Sequence, residues 1–411
     1  YMLLIIITGI IIISITRNKN EEALYFLSYL VGAEIFIRMT DGAILYEIGK
    51  YGLILFSLLG IFLGPIKGKI SISLLIYILL LSIGIIFTQV PLGESIRKAI
   101  AFNLSGPISL AVFALYCNLR NITIKQLKQL LFFLLSPIFS MIIFLYLKTP
   151  SLEDLVFTTS SNFATSGGFG PNQVSTMIGV GTFIIAIFII LRVELSKYLF
   201  LDILFLAYFT YRGLLTFSRG GMLTAGVAFI TFIVCIVLHK RLTFKKLFLY
   251  TSVSFALFMG VWLYTTNITG GLISNRYAGK NVKGVQKKDA TAGRAAIFEA
   301  QLESFYKSPF FGIGVGNGKY KRMQSNIKTT AAAHNEISRL LEEQGILGFI
   351  ALLILLFKPL VNIYFGTMYQ RSFLISFYIF WFLTINHSAM RLAFPGFIYG
   401  LSLIKITTDH E

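Results

Sequence analysis

The chain is poor in charge, in cysteine and in histidine, and each shortage removes a class of protein. Only 13% of its 411 residues are charged, whereas a soluble domain carries about 25%. Long uninterrupted apolar runs recur instead, so a soluble globular protein is excluded. So is an outer-membrane barrel, whose strands alternate polar and apolar residues over about 10 positions. The two cysteines, Cys117 and Cys235, both fall inside apolar segments and can build neither a disulfide framework nor a metal cluster. Of the four histidines (His239, His334, His387 and His410), only His334 lies in a long polar stretch. No His, Cys or acidic cluster has metal-ligand spacing, and no metal or cofactor is expected; Glu153, Asp154 and Glu94 form the one acidic set from which a metal alternative can be drawn. Tyr1 enters an apolar run with no charged leader before it, which reads as a trimmed N-terminus and not as a signal peptide.

What is present is a series of apolar segments, near 1–16, 24–37, 51–66, 70–89, 104–119, 130–147, 175–191, 198–217, 221–238, 247–264, 345–363, 372–386 and 394–406. The fold expected is an all-α polytopic membrane protein of about 12–13 transmembrane helices with one large, partly helical external loop. The organisation is an N-terminal helix bundle (1–264), a loop domain (265–344) and C-terminal helices (345–411). Basic residues set the orientation. Arg17, Lys19, Lys67, Lys69, Arg120, Lys125, Lys128, Arg192, Lys197, Lys240, Arg241, Lys245 and Lys246 fall on one side if the spans alternate. That side is expected to be cytoplasmic and the loop 265–344 external, which for the inner membrane of a Gram-negative cell means periplasmic.

Two other external stretches are too polar to span and too apolar for free loops: Pro91 to Pro107, and the Gly-, Ser- and Asn-rich Ser160 to Ser175. Each is either a plain surface loop or irregular backbone held in protein around a wet cavity. Within the large loop, Thr291 is placed to cap a helix starting near Ala292, with Pro309 and the following glycines ending it. The run Gly312-Ile313-Gly314-Val315-Gly316-Asn317-Gly318 has the look of a phosphate loop. It lacks the preceding strand and the Lys-Thr pair, and reads as a flexible, turn-rich segment. A second helix is expected from about His334 into the next span.

Three positions could carry chemistry. Arg219, in Ser218-Arg219-Gly220-Gly221, sits between two spans, where a cation needs a wet cavity, an anion or a route to the interface; the adjoining glycines permit close backbone approach. Arg294 opens the loop helix, where a cation opposes the macrodipole but, with the free N–H groups, suits an anion. His334, at a helix start, is expected to stay neutral and able to accept a proton, or simply to be structural. Arg38, Arg97, Lys98 and Arg339 are further candidates for holding diphosphate or glycan, although Glu336, Arg339 and Glu343 are also spaced to pair along one helix face. The stretch 265–344 carries twelve Lys/Arg against six Asp/Glu. That excess favours an anionic lipid substrate; nucleic acid is not expected, because the loop is short, membrane-tethered and lacks an aromatic-basic groove.

With these residues in view, the chain resembles the O-antigen ligase and polymerase superfamily of bacterial envelope glycan assembly. The likeness rests on Ser218-Arg219-Gly220-Gly221, on Gly293-Arg294, and on His334-Asn335-Glu336 leading into Leu340-Leu341-Glu342-Glu343-Gln344-Gly345-Ile346-Leu347-Gly348. Asn103 to Pro107 and Gly168 to Gln173 add to it, and the architecture agrees over roughly 75 to 408. The resemblance implies a metal-independent, inverting glycosyltransferase acting on undecaprenyl-diphosphate-linked glycan. The acceptor would be lipid A-core for a ligase, or another lipid-linked repeat unit for a polymerase. It also implies that Arg219 and Arg294 hold the diphosphate while His334 engages the acceptor hydroxyl. A lipid-linked oligosaccharide transporter is the rival from another class, but no repeat between the two halves supports it.

Overall fold

The computed structural model describes residues 1–151, 155–239, 244–289, 291, 293–324 and 333–407. It is built almost wholly of α-helices, and each of the thirteen apolar intervals contains one. In chain order these are α1 (Met2–Thr16), α2 (Glu22–Met39), α3 (Ile48–Leu63), α4 (Ile72–Ile86), α5 (Ile96–Asn118), α6 (Ile124–Lys148), α7 (Pro171–Leu191), α8 (Leu199–Leu215), α9 (Arg219–Leu238) and α10 (Phe244–Ile268). The loop region adds α11 (Leu272–Tyr277), α12 (Arg294–Lys307) and α13 (Gly318–Gln324); α14 (Glu336–Phe365), α15 (Met368–His387) and α16 (Phe394–Leu401) complete the chain. Five helices among the described residues, α5, α6, α7, α9 and α14, are long and apolar enough to cross a membrane, with shorter apolar helices beside them. The protein is therefore an all-α, multi-pass membrane protein.

Burial sorts the helices into layers. The apolar stretch of α7 is 83% buried, whereas that of α14 is only 28% buried, so α7 is central and α14 presents most of its surface outward. Helix α7 packs on α8 and α9, α9 on α15, and α2 on α6. Large apolar side chains such as Ile15, Phe62, Ile86 and Ile230 remain exposed; on a chain of this composition they form the lipid-facing belt.

The last apolar interval departs from expectation. It is not a full span but the eight-residue α16, every residue of which is buried, followed by a short strand, β2 (Lys405–Thr407), paired in parallel with β1 (Asn121–Thr123). Phe397 stacks on Phe113 at 5.0 Å and Phe394 meets Phe380 edge-on at 5.2 Å, so α16 is wedged between α5 and α15. Non-helical backbone at this depth is tolerated because protein, not lipid, surrounds it.

Two loop expectations also change. Helix α5 starts at Ile96, where the Ser95 hydroxyl accepts the Lys98 backbone N–H, so most of Pro91 to Pro107 is helix rather than irregular loop. The glycine-rich run 312–318 is not a free turn either. Ile313 and Gly314 donate their N–H groups to the Glu342 and Glu343 carbonyls, Val315 to Gly84 O, and Ile346 N–H to Pro309 O at 2.7 Å. These bonds form at a break in α14, where Gly345 adopts φ 61° and ψ −137°, backbone angles that only glycine reaches without strain. The glycines thus dock the loop onto α4 and α14 by close backbone approach.

Candidate active site

The ends of α7, α9, α11, α12, α14 and α15 converge on one cavity of about 440 Å³, lined by Arg219, Arg276, Arg294, His334, Asn335, Asn386 and their neighbours. Among the described residues no Asp or Glu lines it. Each cation is delivered by a local structural device.

Arg219 is the first residue of α9. The turn before it is pinned on both sides. The Ser218 hydroxyl donates to Asn172 Oδ1 at 2.7 Å, and the Ser175 hydroxyl donates to Ser218 O at 2.9 Å. Phe217 is fully buried with φ 53°, a left-handed conformation costly for a non-glycine residue, on the order of 1–3 kcal/mol. What holds it is Arg276, whose guanidinium donates to Phe217 O at 3.0 Å, to Thr159 O at 3.1 Å and to the Ser161 hydroxyl at 3.4 Å. Arg219 in turn donates to the Arg276 backbone carbonyl at 3.3 Å. The irregular Ser160 to Ser175 segment is part of this packing: Thr165 and Ser166 are fully buried, and Asn162 N–H bonds Thr216 O at 2.9 Å.

The two glycines after Arg219 serve packing. A Cβ on Gly220 would lie 2.3 Å from the His387 ring, and one on Gly221 would lie 2.3 Å from the Ser175 backbone. They let α15 and α7 close onto the start of α9; the tight approach expected there is to protein.

Arg294 opens α12 as anticipated, but the cap differs from expectation. Gly293 is the N-cap with φ 81°, the Asp289 carboxylate accepts the Gly293 and Thr291 N–H groups, and the Thr291 hydroxyl accepts Ala295 N–H at 3.1 Å. Burial first, then the neighbouring Arg219, holds the Arg294 pKa below its usual range, and Arg276 is lowered by burial and by both other arginines. Guanidiniums that depress their neighbours in this way mark a site that would gain from an anion.

His334 lies two residues ahead of α14, which begins at Glu336, near His334 as expected, and continues into the next span across the break at Gly345. Its cap is Asn335, whose Oδ1 accepts the Ile337 and Ser338 N–H groups at 2.8 and 3.2 Å and whose Nδ2 donates to Asn386 Oδ1 at 3.1 Å. The imidazole pKa falls to about 3, chiefly through burial and then through the fields of Arg391, Arg294 and His387; the His387 carbonyl opposes the shift. The neutral imidazole anticipated for a helix start is present, for these causes. Its Nδ1 is buried without a hydrogen-bond partner among the described residues, a costly condition for a polar nitrogen.

The other sequence candidates lie elsewhere. Arg38 is buried in α2 against Glu34 at 2.6 Å and stacks over Tyr46. Arg339 is held by Glu336 and, at 2.7 Å, by Glu343, as the spacing of those three residues suggested. Lys98 and Arg339 line a separate cavity of about 380 Å³, and Arg97 is exposed in the first turn of α5. Glu153 and Asp154 lie outside the described residues. The pocket also contains groups that the sequence did not single out: Arg276, Asn386 and, just behind Gly220, His387. Arg391 braces the approach to His334 by donating to Ala333 O at 3.1 Å. No local motif marks Arg276; it is one arginine in a polar stretch, and only its placement beside Phe217 distinguishes it.

A helical membrane bundle whose helix ends enclose three guanidiniums and a neutral imidazole defines a membrane protein with a cationic pocket. Residues 203–353 match the family model for O-Antigen ligase, a stretch that contains Arg219, Arg276, Arg294 and His334. Over that stretch the chain is similar to the O-antigen ligase family. No curated protein matches it.

Proposed function

We propose that this pocket transfers a glycan from undecaprenyl diphosphate to a sugar hydroxyl, as an O-antigen ligase acting on lipid A-core at the periplasmic face of the inner membrane. The observation that carries the proposal is the convergence of Arg219, Arg276, Arg294 and His334 on one cavity without a lining carboxylate among the described residues. The acceptor oxygen attacks C1 of the donor sugar from the face opposite the diphosphate, so the new C1–O bond inverts the anomeric centre. As the old C1–O bond breaks, negative charge grows on the diphosphate. Fixed guanidiniums stabilise that charge without reorganising, the role a divalent cation plays elsewhere. The acceptor proton passes to His334, whose Nδ1, without a partner among the described residues, offers a lone pair to a hydroxyl.

The low imidazole pKa describes a pocket without substrate. A bound diphosphate would offset the fields of Arg294 and Arg391, leaving burial as the main depressing influence and making His334 a stronger base when donor is present. Binding and basicity would then be coupled.

The assay is turnover of lipid-linked repeat units by the purified protein in excess chelator, with and without lipid A-core. Transfer to core supports the ligase. Longer lipid-linked glycan without core would make the protein a polymerase using the same chemistry, and no covalent product in either arm would reject glycosyl transfer. Sidedness is read separately: Lys283→Cys should react with an impermeant thiol reagent from the periplasmic face and Lys245→Cys should not. The reverse pattern would move the pocket to the wrong side for this reaction.

A further inference from the structure

The wall of the cationic pocket includes an uncharged side chain that is held by protein at both of its polar atoms. Gln301 lies two turns after Arg294 on α12, a spacing that puts both on one helix face, and both line the cavity. Gln301 is only 1% exposed. Its Nε2 donates to Glu342 Oε2 at 3.0 Å, and its Oε1 accepts the Ser338 hydroxyl at 2.7 Å. Both partners belong to α14, and both are buried.

Each partner leads to another part of the site. Ser338 follows His334 by four residues, and its N–H goes to the Asn335 Oδ1 that caps α14. Glu342 also accepts Arg322 of α13 at 3.0 Å. A Cβ on Gly318 would lie 2.5 Å from the same carboxylate, so α13 closes directly onto it. One carboxylate therefore joins α12, α13 and α14. Removing one of its donors is costly, because a buried charge then loses compensation that water cannot replace. The bridge is stiff for that reason, and it fixes how α12 stands against α14. Arg294 opens the first of these helices, and His334 leads into the second. An amide suits the place, since it can donate to a carboxylate and accept from a hydroxyl at once. Leucine can do neither, and an ionised glutamate can only accept.

We infer that Gln301 is a positioning residue for the transfer reaction: its bridge to Ser338 and Glu342 sets the separation between Arg294, which holds the diphosphate, and His334, which takes the acceptor proton. The inference rests on the reaction proposed above and adds what keeps its two halves in register. The attacking hydroxyl and the leaving oxygen lie on opposite sides of C1, so an error in that separation acts on both bonds of the transition state.

Two variants of the full chain in nanodiscs test it. Gln301→Leu keeps the volume and removes both hydrogen bonds. Its kcat per folded molecule should fall about 10²-fold, the cost of a misplacement of roughly 1 Å, while the donor KM changes little because the arginines remain. Gln301→Glu should make the loss depend on pH. Around the introduced carboxylate stand Glu342 and its partner Arg322, Arg294 two turns away on α12, and Arg339, already held by Glu336 and Glu343. Two carboxylates at this range hold one proton between them, and the protonated form donates and accepts as the amide does. The ratio of its kcat to that of wild type should therefore rise as pH falls from about 8 to about 5. Placement is read without turnover, from spin labels on Glu299→Cys of α12 and Ile346→Cys of α14, both exposed positions; Cys117 and Cys235 are buried. Gln301→Leu should broaden or shift a distance distribution that is narrow in the parent. Normal kcat per folded molecule in Gln301→Leu, or a Gln301→Glu ratio that does not vary with pH, would overturn the inference. If Gln301→Leu does not fold, the pH dependence of Gln301→Glu decides. Failure of the reaction is distinct: without glycan transfer by the wild type, the reaction and this role both fall, whatever the distances. With transfer, an unmoved distance or an unmoved kcat removes the role alone.

Discussion

Two regions of this molecule gather cations, buried in one and half-buried in the other, and they do so in opposite ways. In the α2–α3 region, Arg38 meets Glu34 at 2.6 Å and Lys50 meets Glu47 at 2.6 Å. Lys50 also reaches the Ser105 hydroxyl, and Glu34 accepts the Ala393 N–H. Charge is balanced within the set, with two carboxylates against two cations. In the pocket, Arg219, Arg276 and Arg294 gather with no carboxylate among the described lining residues; Arg219 lowers the pKa of both others, and Arg294 that of Arg276. Burying charge costs several kcal/mol per ion unless it is compensated. The first region compensates internally and acts as a brace, with Arg38 also reaching the Arg391 carbonyl below the site. The second concentrates like charge where helix ends meet, an arrangement that favours an anionic ligand.

The comparison can be broken, and the largest expected effect is at His334. His334→Ala should lower turnover about 10²–10⁴-fold, the usual cost of losing a general base, with donor binding retained by the arginines. Intact turnover per folded molecule, measured beside thermal stability in the Ala and Gln variants, would reduce His334 to a structural role.

Arg219→Ala or Arg294→Ala should each cost about 10²–10³-fold in turnover, comparable to removing one electrostatic donor from an oxyanion site. Lysine should restore only part, because it keeps the charge but loses the planar fork that grips two phosphate oxygens. Wild-type kinetics for Arg219→Lys would mean that any interfacial positive charge suffices there.

Arg38→Ala sharpens the contrast from the other side. It leaves Glu34 buried with its closest cation gone, so unfolding stability should fall by about 3–5 kcal/mol, while turnover per folded molecule falls far less than in the pocket variants. Thermal unfolding and specific activity on the same preparation separate the two. A loss of activity as large as that of Arg219→Ala, without loss of stability, would place Arg38 in the reaction after all.

The smallest effect is a missing one. With its pKa near 3 in the empty pocket, His334 is neutral throughout pH 5–8, so kcat/KM, which reports the free enzyme, should show no acid inflection near pH 6.5. The same shift affects stability. The folded pKa lies below the unfolded one, so the unfolded chain takes up the proton first, and stability is lost as pH falls from about 6.5 toward 3. An inflection at pH 6.5 that disappears in His334→Gln would show that the pocket arginines do not act on the imidazole.

How far the sequence reached differs between fold and site. Helix positions were legible because apolar runs report burial or lipid contact locally. The exception was 394–406, since an eight-residue helix enclosed by protein and a lipid-facing span are equally apolar. The glycines of 312–318 appeared as looseness because sequence shows backbone freedom but not the carbonyls of Glu342 and Glu343 that occupy it. Among the cations, Arg219 and Arg294 drew attention through their positions at helix starts, and His334 through being the one histidine in the polar loop. Arg276 had no such signal, and Arg38 stood among the further candidates.

The sequence by itself determined the membrane-spanning helical class, the polar loop between late helices and the excess of basic over acidic residues there. These depend on composition and on periodicities of a few residues. Tertiary structure alone decided which cations share a cavity. Arg219 and Arg276 are 57 positions apart, and Arg276 and Ser161 are 115 apart, so their meeting depends on how α7, α9, α11 and α15 pack and on the missing Cβ atoms at Gly220 and Gly221 that let them close. A buried arginine beside a glutamate and a half-buried arginine beside two other arginines are the same letter in a sequence. They differ in the partners that folding brings within a few ångströms, and at that range Coulomb energies decide whether a charge braces the fold or awaits a ligand.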